Sequence, residues 1–328
     1  KRQDLMDAAI EGMLDDLDPY TKYWTEQEVE DAKINRSGEY SGIGSTVRTK
    51  DKVMTIIEPR KGYPADKAGL KAGDQIIKIG EISLTDFEGD AGDLLKGSPG
   101  SEVNVTYLRQ GKTAETTIKR AEVDVDAVPF YKLINGTTGY IVLTKFNKKA
   151  SAQVKEALIS LKNDGAEKII LDLRGNGGGL LVEAIRICNL FLPKGEVITT
   201  TKSVIKKYNK TYKTKEEPID TEIPLVVLIN GSSASASEIV TGVLQDYDRA
   251  VVIGARSFGK GLVQRPKPLT YGTQLKVTIS RYFTPSGRCI QALDYWNRDE
   301  KGNAVRTESQ NYKEFKTRNG RKVFDLSL

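Results

Sequence analysis

The chain has 328 residues, 50 of them basic and 44 acidic, a formal net charge of +6, and no histidine. That length exceeds what one hydrophobic core usually fills, and 38% hydrophobic with 29% charged residues fits a folded protein rather than a disordered one. Histidine-ligated zinc and any Ser-His-Asp arrangement are excluded outright, no window approaches the roughly 18 consecutive apolar residues of a membrane span, and charges of both signs interleaved along the chain suit a solvated surface better than a nucleic-acid groove.

Leu5, Ala9, Met13 and Leu17 recur at helical spacing until Asp18-Pro19 stops the run, and a second, charged helix begins near Thr25, so residues 1–38 read as a helical arm. The opening at Lys1, with neither an initiator methionine nor a signal-peptide pattern, fits a trimmed or mature form. From Tyr40 to Arg120 short alternating strands with glycine-rich turns take over. Val53, Thr55 and Ile57 start one strand, Ala72-Gly73-Asp74 turns into another ending at Ile79, Phe87, Ala91, Leu94 and Leu95 predict a short helix, and Gln110-Gly111 turns a last hairpin. This makes a domain of about 80 residues, within the usual size range, at 39–122.

Beyond it, residues 123–328 alternate strand and helix: strands at 168–173, 224–229 and 250–253, helices at 180–191 and 235–244. Two of the strands run into Gly- or Ser-rich loops that lead directly into helices, the arrangement by which α/β folds gather reactive groups at the carboxyl ends of strands. Cys188 falls in an apolar helical pattern and belongs to the core; with Cys289 it has no metal-like spacing.

With imidazole absent, a nucleophilic serine needs another base, chiefly a lysine kept neutral by burial. Ser235-Ala236-Ser237-Glu238 fits the capping box S-x-x-E ahead of Ile239, Val240, Val243 and Leu244, and the same position puts a hydroxyl where helix N–H groups favour an oxyanion. Cap and nucleophile compete for one hydroxyl, and Ser233 and Ser237 remain alternatives. Asp172-Leu173-Arg174-Gly175-Asn176-Gly177-Gly178-Gly179 follows a strand without either nucleotide-binding spacing, and reads as a flexible turn or as an oxyanion cradle. Lys260, between Gly259 and Gly261 and near Phe258 and Leu262, is a solvated surface lysine or a general base whose pKa those apolar neighbours depress. Ser203-Val204-Ile205-Lys206 fits S-x-x-K but lacks the accompanying motifs and reads as strand surface.

Taken together, Ser-Ala-Ser-Ala-Ser-Glu, Gln245-Asp246-Tyr247, Phe258-Gly259-Lys260-Gly261-Leu262-Val263-Gln264 and Tyr282-Phe283-Thr284-Pro285-Ser286-Gly287-Arg288 resemble the carboxyl-terminal processing (tail-specific) proteases. Asp18-Pro19-Tyr20-Thr21, Tyr40-Ser41-Gly42-Ile43-Gly44 and Gly69-Leu70-Lys71-Ala72-Gly73-Asp74 extend the likeness over nearly the whole chain. The resemblance implies an α/β fold in which a crotonase-like protease core (123–328) is preceded by a β-rich PDZ domain (39–122) with two short helices. It implies Ser235 as nucleophile, Lys260 as base, Gln264 orienting the lysine, Asp246 and Glu238 in support, and an oxyanion hole from Ala236 with Gly178 or Gly179. It also implies capture of a substrate's free carboxyl terminus on Ser41, Gly42, Ile43 and Gly44, with Ile43 lining the terminal side-chain pocket, and gating of access by the PDZ domain. No cofactor or metal is called for, the partners are protein or peptide tails, the amino-terminal helices offer a homodimer contact as in some relatives, and the compartment is the periplasm or cell envelope. Relatives continue beyond Phe324-Asp325-Leu326-Ser327-Leu328. A PDZ scaffold that binds without cleaving and an acyl-thioester enzyme of crotonase type are the competing readings.

Overall fold

The computed structural model describes residues 2–85, 87–306 and 312–325, so Leu326–Leu328 at the carboxyl end lie outside the described residues. The chain divides into two compact units, Gly38–Val125 and a larger one made of Lys1–Ser37 with Asp126–Leu328.

In the smaller unit, strands Ser45–Lys50, Val53–Pro59, Gln75–Ile79, Glu102–Arg109 and Lys112–Lys119 form an antiparallel sheet in that order, with Ile82–Ser83 on Gln75–Ile79. The alternation visible in Met54, Ile56, Ile76, Val105 and Ile118 turns each of these side chains inward, where all are buried. Each contributes roughly 1.5–3 kcal/mol by leaving water. The predicted helix through Phe87, Ala91, Leu94 and Leu95 is reduced to one 3-10 turn, Asp93–Leu95. Gly89 and Gly92 weaken a longer helix, and the Gly92 N–H is taken by Asp90 Oδ1 at 2.8 Å. A helical turn at Pro64–Lys67 completes the unit.

The larger unit is centred on a five-stranded sheet ordered Phe130–Ile134, Thr138–Val142, Lys168–Asp172, Leu225–Ile229, Val251–Gly254. The first pair is antiparallel and the others are parallel. The apolar run Leu225-Val226-Val227-Leu228-Ile229 fits a central parallel strand, and burial alternates along it, with Leu225, Val227 and Ile229 buried and Val226 and Leu228 only partly so. Helices Ala150–Asn163, Leu181–Phe191 and Ala236–Asp246 share the core with the buried side chains through Val154, Leu158, Leu161, Ile187, Phe191, Ile239 and Val243. The first of these helices adds an element that the sequence reading leaves out, and Cys188 is fully buried in the same core.

A second sheet runs Lys22–Trp24, Gln274–Phe283, Val197–Lys202, Lys210–Lys213, with Leu262–Pro268 also on Gln274–Phe283. The amino-terminal segment is thus stitched into this unit by the register Lys22 to Lys276 and Trp24 to Gln274. On its first helix, Arg2–Leu14, the periodic Leu5 and Met13 remain exposed. Ser203-Val204-Ile205-Lys206 departs from its reading as strand surface: it is the connection between Val197–Lys202 and Lys210–Lys213, with Val204 fully exposed.

Candidate active site

Three neighbouring parallel strands end on the same edge of the central sheet. Asp172, Ile229 and Gly254 close them, and the loops that follow carry Gly178–Gly179, Ser235 and Lys260. Residues far apart in sequence meet here because parallel strands placed side by side deliver their carboxyl-end loops to one crevice.

The three serines separate at once. Ser233 is fully buried and donates to the Leu173 carbonyl at 2.8 Å; Ser237 is equally buried and donates to the Asn176 carbonyl at 2.8 Å. Ser235 is only partly buried and sits at the amino end of Ala236–Asp246 with φ 57° and ψ −109°. An ordinary N-cap residue is extended. A non-glycine residue at positive φ costs energy that the surrounding structure must supply, and such residues concentrate at functional sites.

What holds Ser235 in that conformation is Glu238, whose side chain is wholly buried. Its Oε2 accepts the Ser235 N–H at 2.7 Å and the Lys260 N–H at 2.9 Å; its Oε1 accepts the Ser257 hydroxyl at 2.7 Å and the Gly259 N–H at 2.6 Å. One carboxylate therefore fixes the backbones of both Ser235 and Lys260. Burial pushes its pKa up, against the opposing effect of the Ser257 hydroxyl and the three backbone donors.

The glycine loop closes on the other side. A Cβ at Gly178 would lie 2.6 Å from the Ala234 carbonyl oxygen and 2.9 Å from both Ala236 N and Ser235 Cβ, so only glycine allows this approach. Asn176, wholly buried, organises the loop: its Nδ2 donates to the Leu143 carbonyl at 2.8 Å, and its own carbonyl accepts the Ala234 N–H at 3.0 Å. Its Oδ1 accepts the Gly178 N–H at 2.9 Å. The Gly178 N–H is thus occupied, whereas the N–H groups of Gly179 and Ala236 have no partner among the described residues. Sequence reasoning assigns Asn176 no role, although an amide inside a run of glycines is a signal for a side chain that organises the loop.

Lys260 is pinned by its neighbours. A Cβ at Gly259 would meet Ala292 Cβ at 2.3 Å and one at Gly261 would meet Gln291 N at 2.4 Å, while the Gly261 N–H donates to Gln291 Oε1 at 2.8 Å. Of the apolar neighbours in sequence, Leu262 is buried and Phe258 is 40% exposed. An aromatic face comes from Tyr20, whose ring centroid lies 4.2 Å from Nζ. Burial lowers the lysine pKa, opposed by the Glu238 and Asp18 carboxylates. Gln264 Nε2 donates to Thr278 Oγ1 at 3.2 Å, and Thr278 Oγ1 donates to Asp18 Oδ1 at 2.9 Å. Asp246 lies further along the helix, paired with Arg288 at 2.5 Å in a fully buried contact and accepting the Ser286 N–H at 2.9 Å. It braces the Thr284–Arg288 turn rather than touching Ser235.

In the smaller unit, Ser41 and Gly42 end the strand Glu39–Gly42 and lead into the edge strand Ser45–Lys50. Gly44, at φ +68°, packs so tightly on Tyr63 that a Cβ would lie 2.5 Å from that residue's Cβ. The carbonyls of Ile43 and Gly44 accept from Ala65 and Arg60 at 2.7 and 3.0 Å. The Gly44 N–H donates to the Tyr40 hydroxyl oxygen, while the Ile43 N–H has no partner among the described residues. The Ile43 side chain is buried in the unit's core. No cluster of metal-ligating residues occurs among the described residues.

Residues 137–295 match Peptidase family S41 and residues 41–119 match the PDZ domain family. A probable CtpA-like serine protease of Staphylococcus aureus (strain COL) is 36% identical over 300 residues, 88% of this chain and 59% of that protein. Its counterpart in Staphylococcus saprophyticus is 35% identical over 295 residues, again 88% and 59%. The chain therefore spans less than two thirds of the length of these relatives. Among solved structures, a photosystem II D1 C-terminal processing protease superposes with a TM-score of 0.52 at 28% identity, covering 93% of this chain and 80% of that one.

Proposed function

Because this chain belongs to peptidase family S41 and carries a PDZ domain ahead of the peptidase segment, we propose that it is a serine endopeptidase that selects substrates by their free carboxyl terminus and cleaves them through Ser235 and Lys260. The observation that carries this reading is the shared Glu238 Oε2, which ties a serine at positive φ to the backbone of a desolvated lysine.

Neutral Lys260 takes the Ser235 hydroxyl proton as Oγ attacks the scissile carbonyl carbon. The oxyanion that forms is received by the Ala236 and Gly179 N–H groups, the two donors left without partners, with the positive end of the helix dipole behind Ala236. The lysine ammonium then protonates the leaving amine, and water, deprotonated by the same lysine, releases the acyl group. Gln264 orients the lysine through its carbonyl oxygen, since its amide nitrogen is engaged by Thr278. In the PDZ domain the free Ile43 N–H, with the Gly44 N–H exchanging its Tyr40 hydroxyl for the ligand, captures the tail carboxylate, and the preceding residues add as a strand to Ser45–Lys50, an edge of the sheet. Tethering the tail raises the local concentration of the adjoining chain at the peptidase site.

The family resemblance further supports a periplasmic or cell-envelope location and a homodimer through the exposed face of the first helix; cell fractionation and light scattering test these. The activity is tested by incubating the protein with an unstructured polypeptide ending in apolar residues and identifying products by mass spectrometry. Cleavage is expected for the parent and lost in Ser235→Ala and Lys260→Ala. Undiminished cleavage by either variant removes that residue from the mechanism, and tail binding without turnover by the parent favours a scaffold.

A further inference from the structure

The segment Asp18–Thr21 is a densely hydrogen-bonded turn. Asp18 Oδ1 accepts the Tyr20 and Thr21 N–H groups at 2.9 and 3.1 Å and the Thr278 hydroxyl at 2.9 Å, and Oδ2 accepts the Thr21 hydroxyl at 2.8 Å. Thr21 in turn accepts the Thr278 N–H at 3.1 Å. The turn is thereby bolted to the strand Gln274–Phe283, and a Tyr295 ring packs edge-on against Tyr20 at 5.9 Å, with the two hydroxyls 3.4 Å apart. What this framework presents to the site is one face of the Tyr20 ring, on which the Lys260 ammonium rests 4.2 Å from the centroid. Nζ makes no hydrogen bond or ion pair among the described residues, so the ring is its nearest defined partner.

We propose that Tyr20 is a positioning residue for Lys260: its ring holds the amine in place and, by stabilising only the charged form, sets how much of the lysine is available as a neutral base. The proposal rests on Lys260 being the general base of the reading above. The ring quadrupole attracts an ammonium and not a neutral amine. It therefore works with Glu238, on the helix, and Asp18, on the turn, against burial, which favours the neutral form. Lys276, from the strand beneath, repels a charged Lys260 and is itself seated on Trp24, with Nζ 4.6 Å from that ring. Tyr295 packs edge-on against Tyr20. The tyrosine thus restrains a base that burial alone would leave neutral at lower pH.

The test titrates Lys260 directly and needs no turnover: trace acetylation by acetic anhydride across pH, read at the Lys260 peptide by mass spectrometry, beside the pH dependence of kcat/KM. Tyr20→Phe keeps the ring and is expected to leave the Lys260 midpoint within about 0.3 pH unit of the parent. Tyr20→Leu keeps apolar bulk without the quadrupole, and is expected to move the midpoint, and with it the acid limb of kcat/KM, down by about half to one and a half pH units. Should the leucine variant fail to fold, phenylalanines bearing successive ring fluorines at the same position keep the shape while draining the quadrupole, and a stepwise fall is expected. An unchanged midpoint across the fluorine series, or a shift in Tyr20→Phe equal to that in Tyr20→Leu, overturns the proposal. If instead Lys260→Ala still cleaves, the assignment of the base falls while the titration continues to report on the Tyr20 contact.

Discussion

Glu238 gives the sharpest handle on how the site is held. Replacing it with alanine strips an acceptor from three backbone N–H groups, those of Ser235, Gly259 and Lys260, and from the Ser257 hydroxyl. Each buried donor left unpaired costs about 1–3 kcal/mol. Removing the carboxylate also relieves the cost of burying it, so a net loss of roughly 3–5 kcal/mol is expected, the range seen when one member of a buried charged network is deleted. Glutamine distinguishes the contributions. Its carbonyl oxygen can keep the Oε2 position and with it the Ser235 and Lys260 bonds, and the Ser257 hydroxyl can turn to accept from the amide. Only the Gly259 N–H is then orphaned, for about 1–3 kcal/mol. Urea unfolding should therefore rank parent, Glu238→Gln and Glu238→Ala in falling order, and peptide cleavage should survive within about tenfold in glutamine while alanine loses it. The pH dependence supplies a second reading. Burial raises the Glu238 pKa in the folded state, so the folded protein binds more protons than the unfolded chain above the ordinary carboxyl range. This contribution to stability is present at low pH and is lost as pH rises through the raised value, and the slope should vanish in Glu238→Gln. Equal stability of the two variants, or more activity in alanine than in glutamine, would refute the picture of one carboxylate holding both backbones.

Ser235→Gly should be more stable than Ser235→Ala by roughly 1–3 kcal/mol in the same unfolding assay, because glycine adopts φ 57° without strain, although neither should cleave. Gly178→Ala should cost about 2–5 kcal/mol and abolish cleavage, since its Cβ would fall 2.6 Å from the Ala234 carbonyl, whereas Gly177→Ala, which meets nothing within 4 Å, should be neutral within about 0.5 kcal/mol. Activity should rise with pH as Lys260 deprotonates, with a midpoint below the ordinary lysine range because burial lowers its pKa. The same shift makes the folded state bind fewer protons than the unfolded chain between the lowered and ordinary values, so this group's contribution to stability increases with pH across that window; a kcat/KM profile flat from pH 5 to 9 would exclude a lysine base.

Much of the site's parts list could be read directly along the chain. The apolar run Leu225–Ile229 followed by Gly-Ser-Ser-Ala-Ser and the apolar periodicity of Ile239, Val240 and Val243 identify a buried parallel strand, a loop and a helix, because those patterns are local and each is set by what a strand or helix must bury. The bare motif could not say which of three serines is available. That was decided by the Leu173 and Asn176 carbonyls, which accept from Ser233 and Ser237 and come from a strand end and loop some 60 residues away. Lys260 illustrates the same limit: its neighbours in sequence, Phe258 and Leu262, suggested shelter, yet the ring over its amine belongs to Tyr20, 240 positions earlier.

By itself, then, the sequence determined the strands and helices that flank the site, the absence of imidazole chemistry, and the residue kinds from which the proposed serine and lysine site is made, since composition and periodicity are properties of the chain alone. Only the tertiary structure decided which hydroxyl stays free of a carbonyl, which glycine N–H is spoken for, and what covers the lysine. Those outcomes depend on strand order and on hydrogen bonds between distant segments, and spacing along the chain carries no trace of either.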